Sequence, residues 1–282
     1  MFALLESEVQ REHALDRDGA LEKVVETAAS LVRAQPGMAP LLNLSSSVVA
    51  ASAQAVRADD VTKSAREAAE RFLVRAKQAA IEAQSHAARL IQDGATVLTH
   101  SRSSTVENAV TAASRGGRRL QVIATESRPM LEGRTLAETL AREAIRVALI
   151  ADSAAALVMD RVDLVLVGAD CITPHHVVNK IGTRMIALAA GERRVPVYVL
   201  CDTSKFVGLD DGLDSHREER RAAELWRAAP AGVDVMNRYF EPTPVDLFAA
   251  IVTETGVLTP SLAARQAAAV SLHRLLVDRL TD

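Results

Sequence analysis

Aromatic side chains are scarce in this chain: only 3% of its 282 residues are Phe, Tyr or Trp. A core poor in rings is built from small and aliphatic side chains, which favours closely packed helices and β-branched strands. Cysteine is scarcer still. Cys171 and Cys201 have neither metal-ligand spacing nor enough partners for a disulfide framework, and a reducing cytoplasm is expected. No long apolar run exists. The most apolar region, 147–168, is interrupted by Asp152, Asp160, Arg161 and Asp163, so no membrane span is expected. The N-terminus places acids where a leader peptide needs basic residues and an apolar stretch. A basic surplus is also missing. The net charge of −3 argues against direct nucleic-acid binding, and the cluster Arg115, Arg118, Arg119 reads as a solvated loop or a local phosphate contact.

Two nucleotide signatures are absent. No GxGxxG follows the first strand and no GxxxxGK[ST] occurs anywhere, so dinucleotide and nucleoside-triphosphate cofactors lose their main support. No cofactor is expected. His175 and His176 lack a third ligand at suitable spacing, and no metal is expected either.

What is present is a change of grammar near residue 93. Before it the periodicity is helical. Leu4, Leu5 and Val9 share a face, as do Leu21, Val24, Val25 and Ala28, and Phe72, Ala79, Ala83 and Ile91 mark one stripe of a long helix over 64–91. Pro36, Gly37 and Pro40 interrupt the pattern. After Asp93-Gly94, short apolar runs alternate with helical stretches: ATVLT (95–99), LQVIAT (120–125), RVALIA (146–151), DLVLVG (163–168) and PVYVL (196–200). Helices are expected near 104–114, 135–145, 153–159 and 179–191. Continuous apolar strands separated by helices predict a parallel sheet covered on both faces. The expected class is α/β: a helical N-terminal subdomain over 1–92, then a Rossmann-like, doubly wound domain over 93–282. Residues 208–227 read as a surface helix or an excursion, and one amphipathic helix is expected after Pro260.

In such sheets ligands bind beyond the carboxyl ends of the strands. The residues there are Thr99, His100, Ser101, Arg102 and Ser103; Glu126, Ser127 and Arg128, then Glu132; Asp152 and Ser153; Asp170 and Cys171; Cys201, Asp202, Ser204 and Lys205. Cations, hydroxyls and carboxylates on one rim suit a polar anionic small molecule such as a phosphorylated sugar. Asn179 can cap a helix whose free amides meet phosphate, Gly182 allows close backbone approach, and Thr183 completes the turn. The bland alternative is a plain helix start with an exposed Lys180. Burial would raise the pKa of Asp170 toward acid/base use, and a nearby Lys180 would lower it. A structural carboxylate–lysine pair is the alternative. Ser101 beside His100 lacks the GxSxG elbow of a hydrolase.

Four ordered segments carry a resemblance: LTHSRSS (98–104), TESRPMLEGR (125–134), GAD with NKIGT (168–170 and 179–183), and NRYFEPTPVDLFAAIVTETGVLTP (237–260). They resemble the superfamily of translation initiation factor 2B alpha, beta and delta subunits and their relatives, methylthioribose-1-phosphate isomerase and ribose-1,5-bisphosphate isomerase. The resemblance covers roughly 93–262. It implies a helical N-terminal part, a Rossmann-like domain, and a homodimer or larger homo-oligomer. It also implies a ligand that is a phosphorylated sugar or nucleotide monophosphate. Asp170 takes the position of the isomerases' aspartate. Arg128, Glu132, Asn179 and Lys180 match positions beside the sugar phosphate, with Arg102, Glu126, Gly182 and Thr183 as neighbouring contacts.

One position departs. Where those isomerases keep a cysteine, this chain has Ser101, whose hydroxyl needs a strong neighbouring base before it exchanges protons. A thiol does so near its ordinary pKa of about 8.5. Cys171 puts a thiol nearby at another angle. The isomerases' N-terminal arginine-glycine phosphate segment is not found within 1–60. Two functions therefore stand: an aldose–ketose isomerase acting on a phosphorylated pentose, or a non-catalytic factor 2B-like regulatory subunit sensing a phosphosugar or nucleotide.

Overall fold

The structure, a computed structural model, describes residues 16–208 and 219–281. Three helices come first: α1 (Arg17–Ala34), α2 (Ala39–Ala53) and α3 (Ala58–Leu90). The Asp16 carboxylate caps α1 by accepting from the Gly19 amide at 2.8 Å, satisfying a donor that no earlier carbonyl can reach. Val24, Val25, Ala28 and Val32 make its buried stripe. The first expected face, with Leu4, Leu5 and Val9, lies outside the described residues. At 33 residues, α3 spans about 50 Å and starts earlier than its periodicity suggested. Ala65, Ala68 and Ala69 pack near its start and Ala83 and Ala87 near its end, all buried; small side chains let neighbouring helices approach closely.

The sheet follows: β1 (Thr96–His100), α4 (Ser104–Arg115), β2 (Gln121–Thr125), α5 (Glu132–Arg142), β3 (Arg146–Ile150), a short α6 (Ala155–Val158) and β4 (Leu164–Val167). Then come β5 (Cys171–Ile172), β6 (His176–Lys180), α7 (Thr183–Arg193), β7 (Val197–Leu200) and a four-residue α8 (Ala222–Leu225). The chain ends with β8 (Phe240–Pro244), β9 (Ala250–Thr253), β10 (Gly256–Leu258), α9 (Pro260–Ala268) and α10 (Arg274–Thr281).

Seven strands form one sheet in the order β10-β9-β7-β4-β1-β2-β3. All pairs are parallel except the β9–β10 hairpin. Side chains alternate between two apolar layers. Leu98, Val165, Val167 and Val199 enter one cluster, and Val97, Leu164, Leu166 and Leu200 the other. A strand buried on both faces must be apolar at every position, hence the unbroken runs. Strand β3 differs: it is the sheet edge, and its Leu149 is 46% exposed.

From β1 the chain winds outward to β3, then crosses back to β4 on the other side of β1. That reversal opens a crevice between β1 and β4 at their carboxyl ends. The sequence did not suggest what fills the flank: a second, antiparallel sheet, β5-β6-β8. Its Cys171 and Val178 pack into the apolar cluster of the N-terminal helices. The single helix expected at the C-terminus is broken into α9 and α10. The chain turns at residues 269–273, where the Val270 carbonyl sits against Gly208; a Cβ there would lie 2.2 Å from that oxygen.

Candidate functional site

A cavity of about 290 Å³ occupies the crevice. It is lined by the end of β1 and the start of α4 (His100, Ser101, Arg102, Ser103, Ser104), by Glu132, and by the loop after β4 (Gly168, Ala169, Asp170). Asn179 and Lys180 of β6, Lys205, and Phe240 of β8 complete it. The Ser103 hydroxyl caps α4 through the Val106 amide at 3.4 Å, so the helix N-terminus with its unreached first-turn amides abuts the cavity. Gly168 is required for that approach, because a Cβ on it would stand 2.8 Å from the Ser103 side chain.

Charge is concentrated here. Lys180, only 3% exposed, donates to the Glu132 carboxylate at 2.6 Å. The other Glu132 oxygen is buried with no hydrogen-bond partner. Lys205 donates to the Ala169 carbonyl, and Asn43 of α2 holds the backbone on both sides of it, bonding the Ser204 and Phe206 carbonyls at 2.7 and 2.8 Å. Burial holds the Asp170 carboxyl above the ordinary carboxylate range. The Lys205 and Lys180 ammonium groups oppose that shift and the Glu132 charge adds to it.

The ring of Tyr239, itself outside the cavity lining, contacts one of the lining residues. Its centroid lies 4.9 Å from the Lys180 Nζ and 5.0 Å from the Arg220 guanidinium. Its hydroxyl donates to Glu224 at 2.6 Å, and Asn237 donates to the same carboxylate oxygen at 3.0 Å.

His100 is spoken for. Its Nε2–H donates to the Ile181 carbonyl at 2.7 Å, so its Nδ1 accepts from the Thr125 hydroxyl at 2.6 Å. Burial pushes the ring's pKa down, leaving a neutral structural imidazole rather than a base for Ser101. The Ser101 backbone is left-handed at φ 62°, as is Ser127 at φ 63°. The Ser127 hydroxyl accepts from the Ser101 amide at 2.7 Å, and Asp152 accepts from the Ser127 and Arg128 amides at 2.7 and 2.8 Å. Left-handed backbone at non-glycine residues costs about 1–3 kcal/mol each and persists where surroundings over-determine it. These bonds do so at the cavity rim.

The remaining expected residues fall in several places. Arg102 lines the cavity but is paired with Glu107 at 3.1 Å. Glu126 is paired with Arg134 at 2.9 Å, and Arg128 is exposed; neither lines the cavity. Asn179 does not open a helix. It lies with Lys180 in β6, whose β-branched residues pair with β8, and α7 starts only at Thr183. There the Glu241 carboxylate accepts from the Gly182 and Arg184 amides at 2.7 and 2.9 Å, so the protein itself supplies the anion at that helix start. Gly182, at φ +106°, passes against the His100 ring; a Cβ would meet it at 3.0 Å. The Thr183 hydroxyl donates to the Lys180 carbonyl at 2.7 Å and accepts from Asn179 at 2.9 Å.

Cys171 and Cys201 are fully buried, outside the cavity lining, with thiols pushed up to about 12 chiefly by burial. Neither replaces the missing cysteine. Sequence reasoning placed Lys205 on the rim after β7 but gave it no role; Tyr239, Phe240 and Glu241 fell within the resemblance segment 237–260 without being singled out. Among the described residues no group of three or more His, Cys, Asp or Glu side chains is placed to hold a metal ion, and no helix is long and apolar enough to cross a membrane. A larger cleft of about 500 Å³ opens between α3 and residues 202–204. Its Glu254 is already bonded to the Thr203 amide and hydroxyl, so the smaller cavity remains the place where buried charge converges.

Comparison with known proteins agrees with this geometry. The model of the initiation factor 2 subunit family matches residues 1–260. A ribose 1,5-bisphosphate isomerase of Archaeoglobus fulgidus is 43% identical over 180 residues, covering 61% of this chain and 56% of that protein; the match thus spans little more than half of that relative. A methylthioribose-1-phosphate isomerase of Heliobacterium modesticaldum is 39% identical over 232 residues, covering 73% and 67%. Among solved structures, the translation initiation factor eIF-2B of Pyrococcus horikoshii superposes with a TM-score of 0.68 at 31% identity, covering 92% of this chain and 97% of that one. The chain belongs to the initiation factor 2 subunit family, whose members include sugar-phosphate isomerases and eIF-2B-like proteins.

Proposed function

We propose that this chain binds a phosphorylated pentose in the β1/β4 cavity and interconverts its aldose and ketose forms. The observation that carries the reading is Asp170, partly buried in the cavity wall and acted on by two lysines and a second carboxylate. Aldose-to-ketose conversion moves one hydrogen from C2 to C1 and, in net, one proton from the C2 oxygen to the C1 oxygen. A carboxyl group whose pKa is raised by burial serves this exchange by taking and returning the proton. Lys180 and the first-turn amides of α4 receive the phosphate. The unpartnered Glu132 oxygen accepts from a sugar hydroxyl, and Ser101 contacts the carbonyl oxygen. Two relatives named for isomerisation of phosphorylated sugars support the choice of substrate class.

The test is a thermal-shift screen with sugar mono- and bisphosphates, followed by an NMR isomerisation assay of each hit. Asp170→Asn should lower turnover by roughly 10²- to 10⁴-fold, the usual weight of acid–base catalysis, while binding persists. Binding by the natural protein without turnover of any hit would sink the enzyme reading.

One observation favours a second reading. Ser101 stands in the cysteine position and both thiols are buried away from the cavity, which suits a non-catalytic regulatory subunit that senses a phosphosugar. On that reading Ser101→Cys creates or sharply raises isomerase activity.

A further inference from the structure

We infer that Tyr239 is a positioning residue whose ring holds the Lys180 ammonium at the cavity wall without adding a second negative charge beside it. The role of Lys180 toward phosphate rests on the reading above; the contact with Tyr239 does not. The ring is pinned at both ends. On the backbone side, the Tyr239 carbonyl accepts from the Ile181 amide at 2.8 Å, and the next residue, Phe240, stands opposite Lys180 in the β6–β8 ladder. On the other side its hydroxyl is tied to Glu224 at 2.6 Å. Glu224 is held in turn by Asn237, which also donates to the Arg221 carbonyl at 2.9 Å.

An ammonium has three donors. Glu132 takes one at 2.6 Å. Glu132 already balances the lysine's charge; a second carboxylate opposite would fix the lysine equally well, but it would leave the cluster net negative and repel an anionic ligand. An aromatic face attracts the cation through its quadrupole and carries no net charge. Lys180 is thereby clamped between Glu132 and Tyr239 with no further negative charge brought to the cavity wall. The Arg220 guanidinium, 5.0 Å from the ring centroid, ties the clamp to the segment 220–237.

The test compares Tyr239→Phe, Tyr239→Leu and the natural protein. One arm needs no ligand: with ¹³Cε-labelled lysine, five lysines give an assignable spectrum, and Lys180→Arg identifies the resonance. The Lys180 Hε protons should be shifted upfield by the ring in the natural protein and in Tyr239→Phe, and return to the lysine envelope in Tyr239→Leu. The second arm is calorimetric binding of ribose 5-phosphate and of inorganic phosphate. Tyr239→Phe should bind within about twofold of the natural protein, and Tyr239→Leu roughly 3- to 30-fold more weakly, the range of a partly desolvated cation–π contact. A role in filling space alone would be rescued by leucine. Unshifted Lys180 protons in the natural protein, or equal affinity in Tyr239→Leu, overturn the inference. So does a loss in Tyr239→Phe as large as in Tyr239→Leu. If the natural protein binds neither probe, the phosphosugar reading falls, while the lysine spectrum still decides the role of Tyr239.

Discussion

Removing the Lys180 amine measures how much of the site's charge is truly buried. The substitution Lys180→Met keeps the aliphatic stem and deletes the group that donates to Glu132 at 2.6 Å. Breaking a buried ion pair from one side costs about 3–5 kcal/mol, because the partner charge is stranded. Here the lysine side chain is 4% exposed but the Glu132 side chain 32%, so water screens part of the stranded carboxylate and the cost falls to roughly 2–3 kcal/mol. Loss of the contact with Tyr239 adds about 0.5–1 kcal/mol. The expected destabilisation is therefore about 2.5–4 kcal/mol, read from the urea midpoint at constant slope. The second Glu132 oxygen is already without a hydrogen-bond partner, so no protein donor now on the carboxylate takes over the stranded charge. Adding Glu132→Gln to the Met variant replaces the carboxylate by a neutral amide and should restore all but about 1 kcal/mol. A loss below about 1 kcal/mol in the single variant, or no recovery in the double, would refute the claim that Lys180 and Glu132 form one electrostatic unit.

Other consequences follow from single residues. Asp170 has a folded pKa above its ordinary 3.8, so its contribution to stability is full below pH 3.8 and is lost as pH rises through the folded value. Asp170→Asn should therefore gain in melting temperature relative to the natural protein as pH rises from 3.8 through the folded value, and level off above it; a pH-independent difference contradicts the burial argument. His100 is the opposite case, with a folded pKa below its ordinary 6.5. Its contribution is present above pH 6.5 and lost as pH falls through the folded value, and imidazole ¹⁵N spectra above pH 6.5 should show it neutral with the proton on Nε2. Gly133→Ala places a Cβ 1.7 Å from the Thr125 carbonyl oxygen; forcing α5 off the end of β2 should cost about 3 kcal/mol or more. An alanine variant with unchanged stability would mean that α5 does not sit where Glu132 needs it.

Much of the architecture was legible because its signals are local. Unbroken apolar runs such as DLVLVG can be satisfied only by strands covered on both faces, and each of the five expected strands lies within a residue or so of its observed position. Segment 179–183 was misread for an equally local reason. Asn, Gly and Thr are common at helix starts, and the pairing that makes Asn179 and Lys180 a strand comes from β8, some sixty residues later. Glu241, from that same strand, occupies the helix start that looked free for phosphate.

The chain's order of residues by itself determined the parallel sheet, its helical preface, and the rim of hydroxyls, cations and carboxylates at the strand ends. Only the tertiary structure decided which rim residues meet. The strand order reverses between β1 and β4, and the crevice formed there gathers Asp170, Lys180, Glu132 and Lys205 while leaving Glu126 and Arg128 outside. That choice is non-local because a side chain's partners depend on how distant strands are ordered, which short-range periodicity does not encode. Tyr239 shows the same limit: its segment was marked but its contact was not, because Lys180 reaches the ring only when β8 pairs with β6.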